Sequence, residues 1–354
     1  MNYGHGGNID EISRVYGINK DEIIDFSANI NPLGLNKSVE ESIIKGICNV
    51  DRYPDITYRE LRDSIARYEN TNSENILLGN GAGEVIFNIV RAIMPRVGLV
   101  MAPSFSEYED ALNSVGARVN HYTLSKDFNI ESDFLDEISC GVNMVFLCNP
   151  NNPTGVLTPR NIVEAIAKKC EGVGATLVVD ESFLDFVEDK DDYSMISLVN
   201  RFKNMIVVKS LTKFFAFPGI RIGYGITSST SYISGYRGAC PPWNVNTLAM
   251  VASITAMDQD EYSRESVNYI KGESQRLYNE LNSINHISAY KPSVNYVLLK
   301  CSQSIDLQLS LIKKGILIRD CSNYKGLEKG YYRVAVKKVA ENNRLINALK
   351  EVLG

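Results

Sequence analysis

Short runs of consecutive apolar residues recur through the first two thirds of the chain, each closed by a turn or a charged residue. Asn75-Ile76-Leu77-Leu78 precedes a glycine-rich turn, after which Ile86, Ile89, Val90 and Ile93 repeat at helical spacing. Gly98-Leu99-Val100-Met101 precedes Pro103 and a further helical stretch. Met144 to Cys148 ends at a proline and asparagine turn, Thr176 to Val179 ends at Asp180, and Met205 to Val208 runs into Lys209 and Ser210. Runs that are apolar at every position and separated by helices predict strands buried on both faces, hence a mainly parallel sheet in an α/β domain. Ala239-Cys240-Pro241-Pro242-Trp243-Asn244 breaks this pattern. A long helical region from Thr247 to about Asn282 follows, then strand-like Asn295 to Leu299 and Tyr331 to Val336. The expected organisation is an arm over 1–35, a large domain over 36–245 and a smaller α+β domain over 246–354.

Composition narrows the classes. Apolar residues are 44% of the 354 and charged residues 22%, the balance of a soluble globular protein. The net charge of -5 and the lack of a basic tract argue against nucleic acid as a partner. No apolar run approaches the ~20 residues of a membrane span, and the N-terminal MNYGHGGNIDEISR lacks the order of a signal peptide. The seven cysteines are scattered without a C-x-x-C pair, which fits free thiols in the cytoplasm. His5, His121 and His286 are far apart in sequence, so no metal site is expected.

Several polar groups follow expected strand ends, where open α/β sheets bind ligands. Gly79-Asn80-Gly81-Ala82-Gly83-Glu84 joins a strand to a helix, and its N–H groups could cradle a phosphate or simply make a turn. Asn149-Pro150-Asn151-Asn152-Pro153-Thr154-Gly155 is a rigid polar turn. Asp180 closes an apolar run, so it is either a helix cap or a buried carboxylate in need of a partner. Lys213, in SLTKFFAFPGIR, is either a solvated lysine or one placed for a Schiff base.

Taken together, GNGAGE, PSFSEY, NPNNPTG, VVDESF and SLTKFFAFPGIRIGY, in that order, resemble the fold-type I, aspartate-aminotransferase-like enzymes, which use pyridoxal 5'-phosphate. The resemblance implies that Lys213 holds the cofactor's aldehyde and that Asp180 keeps its pyridine nitrogen protonated. It implies that Asn152 bonds the ring's phenolic oxygen and Tyr108 stacks on the ring. Ala82, Gly83, Ser210 and Arg221 would bind the phosphate, and Arg333 the substrate carboxylate. Tyr53, in DRYPD, would reach the cofactor of a second subunit, which makes the expected assembly a homodimer with shared active sites.

Two branches of that family are similar to this chain: the histidinol-phosphate aminotransferases and the threonine-phosphate decarboxylases of cobalamin biosynthesis. HGGN (His5 to Asn8) and DFSANINPLG (Asp25 to Gly34) resemble the N-terminal segment of the decarboxylases, in which His5, Gly6 and Asn29 would line the substrate pocket. Phe183 stands where the aminotransferases carry a tyrosine, and Arg319 matches a second substrate-binding arginine. The resemblance favours decarboxylation of a phosphorylated amino acid, phosphothreonine or phosphoserine. A transaminase, or a relative that binds ligand without turnover, is the alternative.

Overall fold

The computed structural model describes residues 6–354. Helix Ile9–Tyr16 precedes a two-residue strand, β1 (Ile24–Asp25), and helices Lys37–Gly46 and Arg59–Tyr68 follow. The main sheet is built from β2 (Ile76–Gly79), β3 (Val97–Ala102), β4 (Arg118–Thr123), β5 (Met144–Cys148), β6 (Thr176–Asp180), β7 (Met205–Lys209) and β8 (Gly223–Ile226). The C-terminal part holds β9 (Ile287–Ala289), β10 (Tyr296–Cys301), β11 (Ile316–Leu317), β12 (Arg319–Asp320) and β13 (Tyr331–Ala335). Helices Asp260–Asn282 and Val339–Leu353 accompany them.

The main sheet runs β2-β8-β7-β6-β5-β3-β4 and is parallel except at β8, which is antiparallel to both its neighbours. Strands β5, β6 and β7 are buried at every position, as apolar runs covered on both faces should be. Their shared direction puts Cys148, Asp180 and Lys209 at one edge of the sheet, with the turn after β3. The antiparallel β8 begins at that same edge, so Arg221, two residues before Gly223, also arrives there.

Two strands of this sheet have no apolar run to announce them. β4, RVNHYT, is a half-exposed edge strand, and β8, GYGI, carries two glycines. The expected helix from Thr247 to Asn282 is two helices, Thr247–Met257 and Asp260–Asn282. The first packs on helices Lys37–Gly46 and Arg59–Tyr68, and the second on β9, β10 and the C-terminal helix. Two different surfaces must be covered, and Asp260 and Glu261 start the second helix where its dipole favours acidic residues.

The smaller sheet runs β12-β13-β10-β9 and is antiparallel throughout. The N-terminal segment is tied to this part: β1 pairs with β11, and Ala335 N donates to Phe26 O at 2.8 Å. Residues just after β1 are thereby held against β13. Among the described residues, no helix is long and apolar enough to cross a membrane.

The crossing of β8 and the turn after β2 is tight. A Cβ on Gly223 would lie 2.3 Å from Ala82 N and 2.6 Å from Gly81 C, both backbone atoms. Gly223→Ala is expected to cost about 1–3 kcal/mol through overpacking, read as a lowered denaturant midpoint. A midpoint equal to that of the parent chain contradicts the close approach.

Candidate active site

The strand edge opens into a cavity of about 410 Å³ that reaches from the main sheet to β12 and β13. Gly6, Asn29, Ala82, Gly83, Tyr108, Asn152, Asp180, Ser210, Lys213, Arg221, Arg319 and Arg333 all line it. Tyr53 does not. Its side chain is 79% exposed, and its ring lies 4.6 Å from that of Trp243. His5 lies outside the described residues. Among those described, no three His, Cys, Asp or Glu side chains gather as a metal site.

Asp180 is the most buried of the charged groups that line the cavity. Its Oδ1 accepts from Ser182 N at 2.9 Å and its Oδ2 from the Tyr108 hydroxyl at 2.7 Å. Burial raises its pKa, against the pull of those hydrogen bonds and of the Lys213 charge. The carboxylate is thus aimed into the cavity with neutral donors only, a poor arrangement unless a cationic group joins it.

Tyr108, the residue expected to stack on the cofactor ring, lines the cavity from a buried position. Tyr108 is fully buried, its ring lies parallel to Phe146 at 4.9 Å, and its hydroxyl is committed to Asp180. It orients the carboxylate. Phe105, from the same PSFSEY motif, packs edge-on to Tyr108 at 5.6 Å and is, like Tyr324, a partly exposed aromatic of the cavity. Sequence reading missed it because either aromatic of the motif satisfies the pattern.

Lys213 follows β7 on a single helical turn, Leu211–Phe214. Burial and the nearby charges of Arg221 and Arg333 pull its pKa down to about 8, against the opposing effect of Asp180. Such an amine is largely uncharged at mildly alkaline pH and therefore nucleophilic.

On the other side of the cavity, helix Ala82–Ile93 presents its N-terminus. Gly81 has φ +102°, a conformation that favours glycine. A Cβ there would lie 2.6 Å from Arg221 Nη2, so only glycine lets the guanidinium lie against the turn. With the amides of Ala82 and Gly83 and the Ser210 hydroxyl, this makes an anion cradle.

Arg333 is held by residues from three regions. Nη1 donates to Asn152 Oδ1, and Nη2 donates to Ser27 O at 2.9 Å. Asn29, with its amide oxygen turned toward the guanidinium, accepts from Nη1 at 3.2 Å and Nε at 3.3 Å. Because Asn152 gives its oxygen to Arg333, what it can offer a ligand is its NH2. Arg319 is the direct cross-strand partner of Arg333. Its Nη2 donates to Asn323 Oδ1 at 2.9 Å, and its guanidinium lies 5.3 Å from the centre of the Tyr324 ring. Ser27 was not foreseen from sequence. Gly7 N donates to its hydroxyl at 2.8 Å, and a Cβ on Gly6 would fall 2.2 Å from its carbonyl oxygen. The N-terminal glycines therefore lie directly on the residue that holds Arg333.

A buried carboxylate, a lysine of lowered pKa, an anion cradle and two arginines meet at one strand edge. The aminotransferase class I and II family model matches residues 21–349. The chain belongs to that family. It is 37% identical to the threonine-phosphate decarboxylase of Salmonella typhimurium, over 100% of this chain and 97% of that one. It is 32% identical to the adenosylcobalamin biosynthesis bifunctional protein CobDQ of Leptospira interrogans, over 98% of this chain and 41% of that one. Among solved structures it resembles the histidinol-phosphate aminotransferase of Clostridium acetobutylicum, with TM-score 0.87 and 35% identity over 92% of this chain and 98% of that one.

The lowered pKa of Lys213 has a measurable signature. In cofactor-free protein, modification of this amine by an amine-directed reagent, followed by peptide mapping, should rise with pH through a midpoint of about 8. An unperturbed lysine would titrate at about 10.4. The buried ammonium should also cost stability below about pH 8, a cost relieved as pH rises through the window up to the unfolded value. A modification midpoint at the unperturbed value contradicts the electrostatics described.

Proposed function

We propose that this chain uses pyridoxal phosphate to decarboxylate L-threonine O-3-phosphate, with L-serine O-phosphate as the alternative substrate. The products are carbon dioxide and an aminoalkanol phosphate for the nucleotide loop of cobalamin. The observation that carries this reading is the pair Arg319 and Arg333, cross-strand neighbours facing the cavity that holds Lys213. Two buried guanidinium groups side by side call for a ligand with two anionic ends, and a phosphorylated amino acid has a phosphate and a carboxylate. The 37% identity to a threonine-phosphate decarboxylase over the whole chain supports the same choice.

The residues present fit the cofactor. The cradle of Ala82, Gly83, Ser210 and Arg221 suits its phosphate, and Asp180 suits a protonated ring nitrogen. When bound, pyridoxal phosphate supplies an electron-accepting ring that takes up the pair left as carbon dioxide departs. The chain does the rest. Asp180, oriented by Tyr108 and Ser182, presents negative charge to the ring-nitrogen proton and keeps it in place. Arg319 binds mainly the substrate phosphate and Arg333 the carboxylate, which sets the orientation of the α carbon. Lys213 Nζ would hold the cofactor's aldehyde, and as an amine of lowered pKa it would carry a proton to the α carbon. Phe183, 7% exposed and edge-on to Tyr296 at 5.1 Å, brings no hydroxyl to the ring oxygen.

The working form is a homodimer in the cytoplasm. Ile44, Ile47, Val50, Tyr53, Ile56 and Trp243 are all more than a third exposed, an unusual density of large apolar side chains for a free surface. A second hollow, about 590 Å³, adjoins them between Ile56, Tyr58, Pro242 and Trp243. In the dimer Tyr53 reaches the other subunit's cofactor phosphate. The seven cysteines are all free, which suits a reducing compartment.

The reaction is tested in two tubes. One holds phosphothreonine alone, the other histidinol phosphate with 2-oxoglutarate. Carbon dioxide from the first, turnover after turnover without a keto acid, is the expected result. Glutamate from the second, with no carbon dioxide from phosphothreonine or phosphoserine, assigns the chain to the aminotransferases instead.

A further inference from the structure

A buried ion cluster stands behind the cavity on residues that adjoin the site's own but do not line it. Lys209, the residue before Ser210, is 1% exposed. Its Nζ lies 3.0 Å from Asp185 Oδ2 and 3.6 Å from Glu69 Oε1. The Asp185 and Glu69 side chains are 2% and 6% exposed. Lys190 Nζ donates to Asp185 Oδ1 at 2.8 Å. The Tyr224 hydroxyl donates to Glu69 Oε1, and Tyr224 is the register partner of Lys209 across β7 and β8. Glu181, next to Asp180, faces the same charges and accepts from Met195 N at 2.7 Å and Ser194 Oγ at 2.8 Å.

Stability alone does not explain such a cluster, because well-packed apolar residues stabilise an interior as well as a buried ion pair does. What ion pairs add is direction, and here three of the tied segments lead into the cofactor cavity. Lys209 is bonded to Ser210. Asp185 lies five residues past Asp180, and Tyr224 three residues past Arg221. Asp180, Ser210 and Arg221 are the groups assigned above to the two ends of the cofactor.

We propose that Lys209 is a positioning residue for the cofactor: through Asp185 and Glu69 it locks the turn after β6, the end of β7 and the start of β8 so that Asp180, Ser210 and Arg221 keep one spacing. This rests on the reading of the cavity as a pyridoxal phosphate site and not on the choice of substrate. Burial works against the charge on Lys209, but Asp185 and Glu69 outweigh it and hold the ammonium above its ordinary value. Burial would raise Asp185, yet Lys190 and Lys209 hold it below the usual carboxylate range. Lys209 and Asp185 therefore stay ionised across neutral pH, while burial pushes the neighbouring Glu181 up to about 7.

The test measures pyridoxal phosphate affinity of the full chain without substrate, beside the thermal midpoint of the cofactor-free protein. Lys209→Met should weaken binding about tenfold or more at a temperature where the cofactor-free protein is fully folded, and Lys209→Arg should recover most of that loss. A lower thermal midpoint with an unchanged dissociation constant makes the cluster structural only and overturns the proposal. If Lys209→Met does not fold, Lys190→Met, at the cluster's rim, decides by the same pair of measurements. It should weaken cofactor binding by a smaller factor, and unaltered binding in it overturns the proposal. Failure to release carbon dioxide from phosphothreonine would leave this result untouched, since no substrate is present.

Discussion

A carboxylate buried at the end of a central strand constrains everything around it. Asp180 is placed by β6 among strands that are buried at every position, so little water reaches it. An ionised carboxylate in such a place needs compensation. The chain provides two neutral donors, Tyr108 and Ser182, and a lysine whose own charge is suppressed by the same burial. A cationic group of a ligand would supply that compensation, as the protonated ring nitrogen of pyridoxal phosphate does in the function proposed above, where Lys213 and the anion cradle come from neighbouring strands.

The second constraint is the like charge of Arg319 and Arg333. Antiparallel pairing of β12 with β13 puts them opposite each other, and like charges so placed repel. The surroundings reduce that cost. Asn152, Asn29 and Ser27 accept from Arg333, Asn323 accepts from Arg319, and Tyr296 and Tyr324 lie against the two guanidinium groups. The proposed substrate, with a phosphate and a carboxylate, would offset the remaining charge. The N-terminal segment takes part because β1 pairs with β11 and brings Ser27 and Asn29 beside β13. This is why a stretch far from Lys213 in sequence belongs to the site.

Strands that are buried on both faces were legible as apolar runs, and the residues just past them were legible as site candidates because parallel strands end at one edge. β4 and β8 were not, since a polar edge strand and a glycine-rich strand carry no such run. Nor could sequence choose between Phe105 and Tyr108. Only the packing of Tyr108 on Phe146 and its bond to Asp180 show that this cavity residue also orients the carboxylate. The cluster around Lys209 was hidden for a related reason. A lysine at the end of an apolar run reads as the point where the strand meets water. Its partners Glu69 and Asp185 are distant in sequence and close only in the fold.

That Asp180 is held for a protonated ring nitrogen is open to direct measurement. The most direct measurement compares the affinity of the cofactor-free chain for pyridoxal phosphate with that for an analogue whose ring nitrogen is replaced by carbon, in the parent chain and in Asp180→Asn. The parent chain should prefer pyridoxal phosphate by about tenfold or more, and the preference should disappear in the variant. Equal affinities in the parent chain, or an undiminished preference in Asp180→Asn, would contradict it.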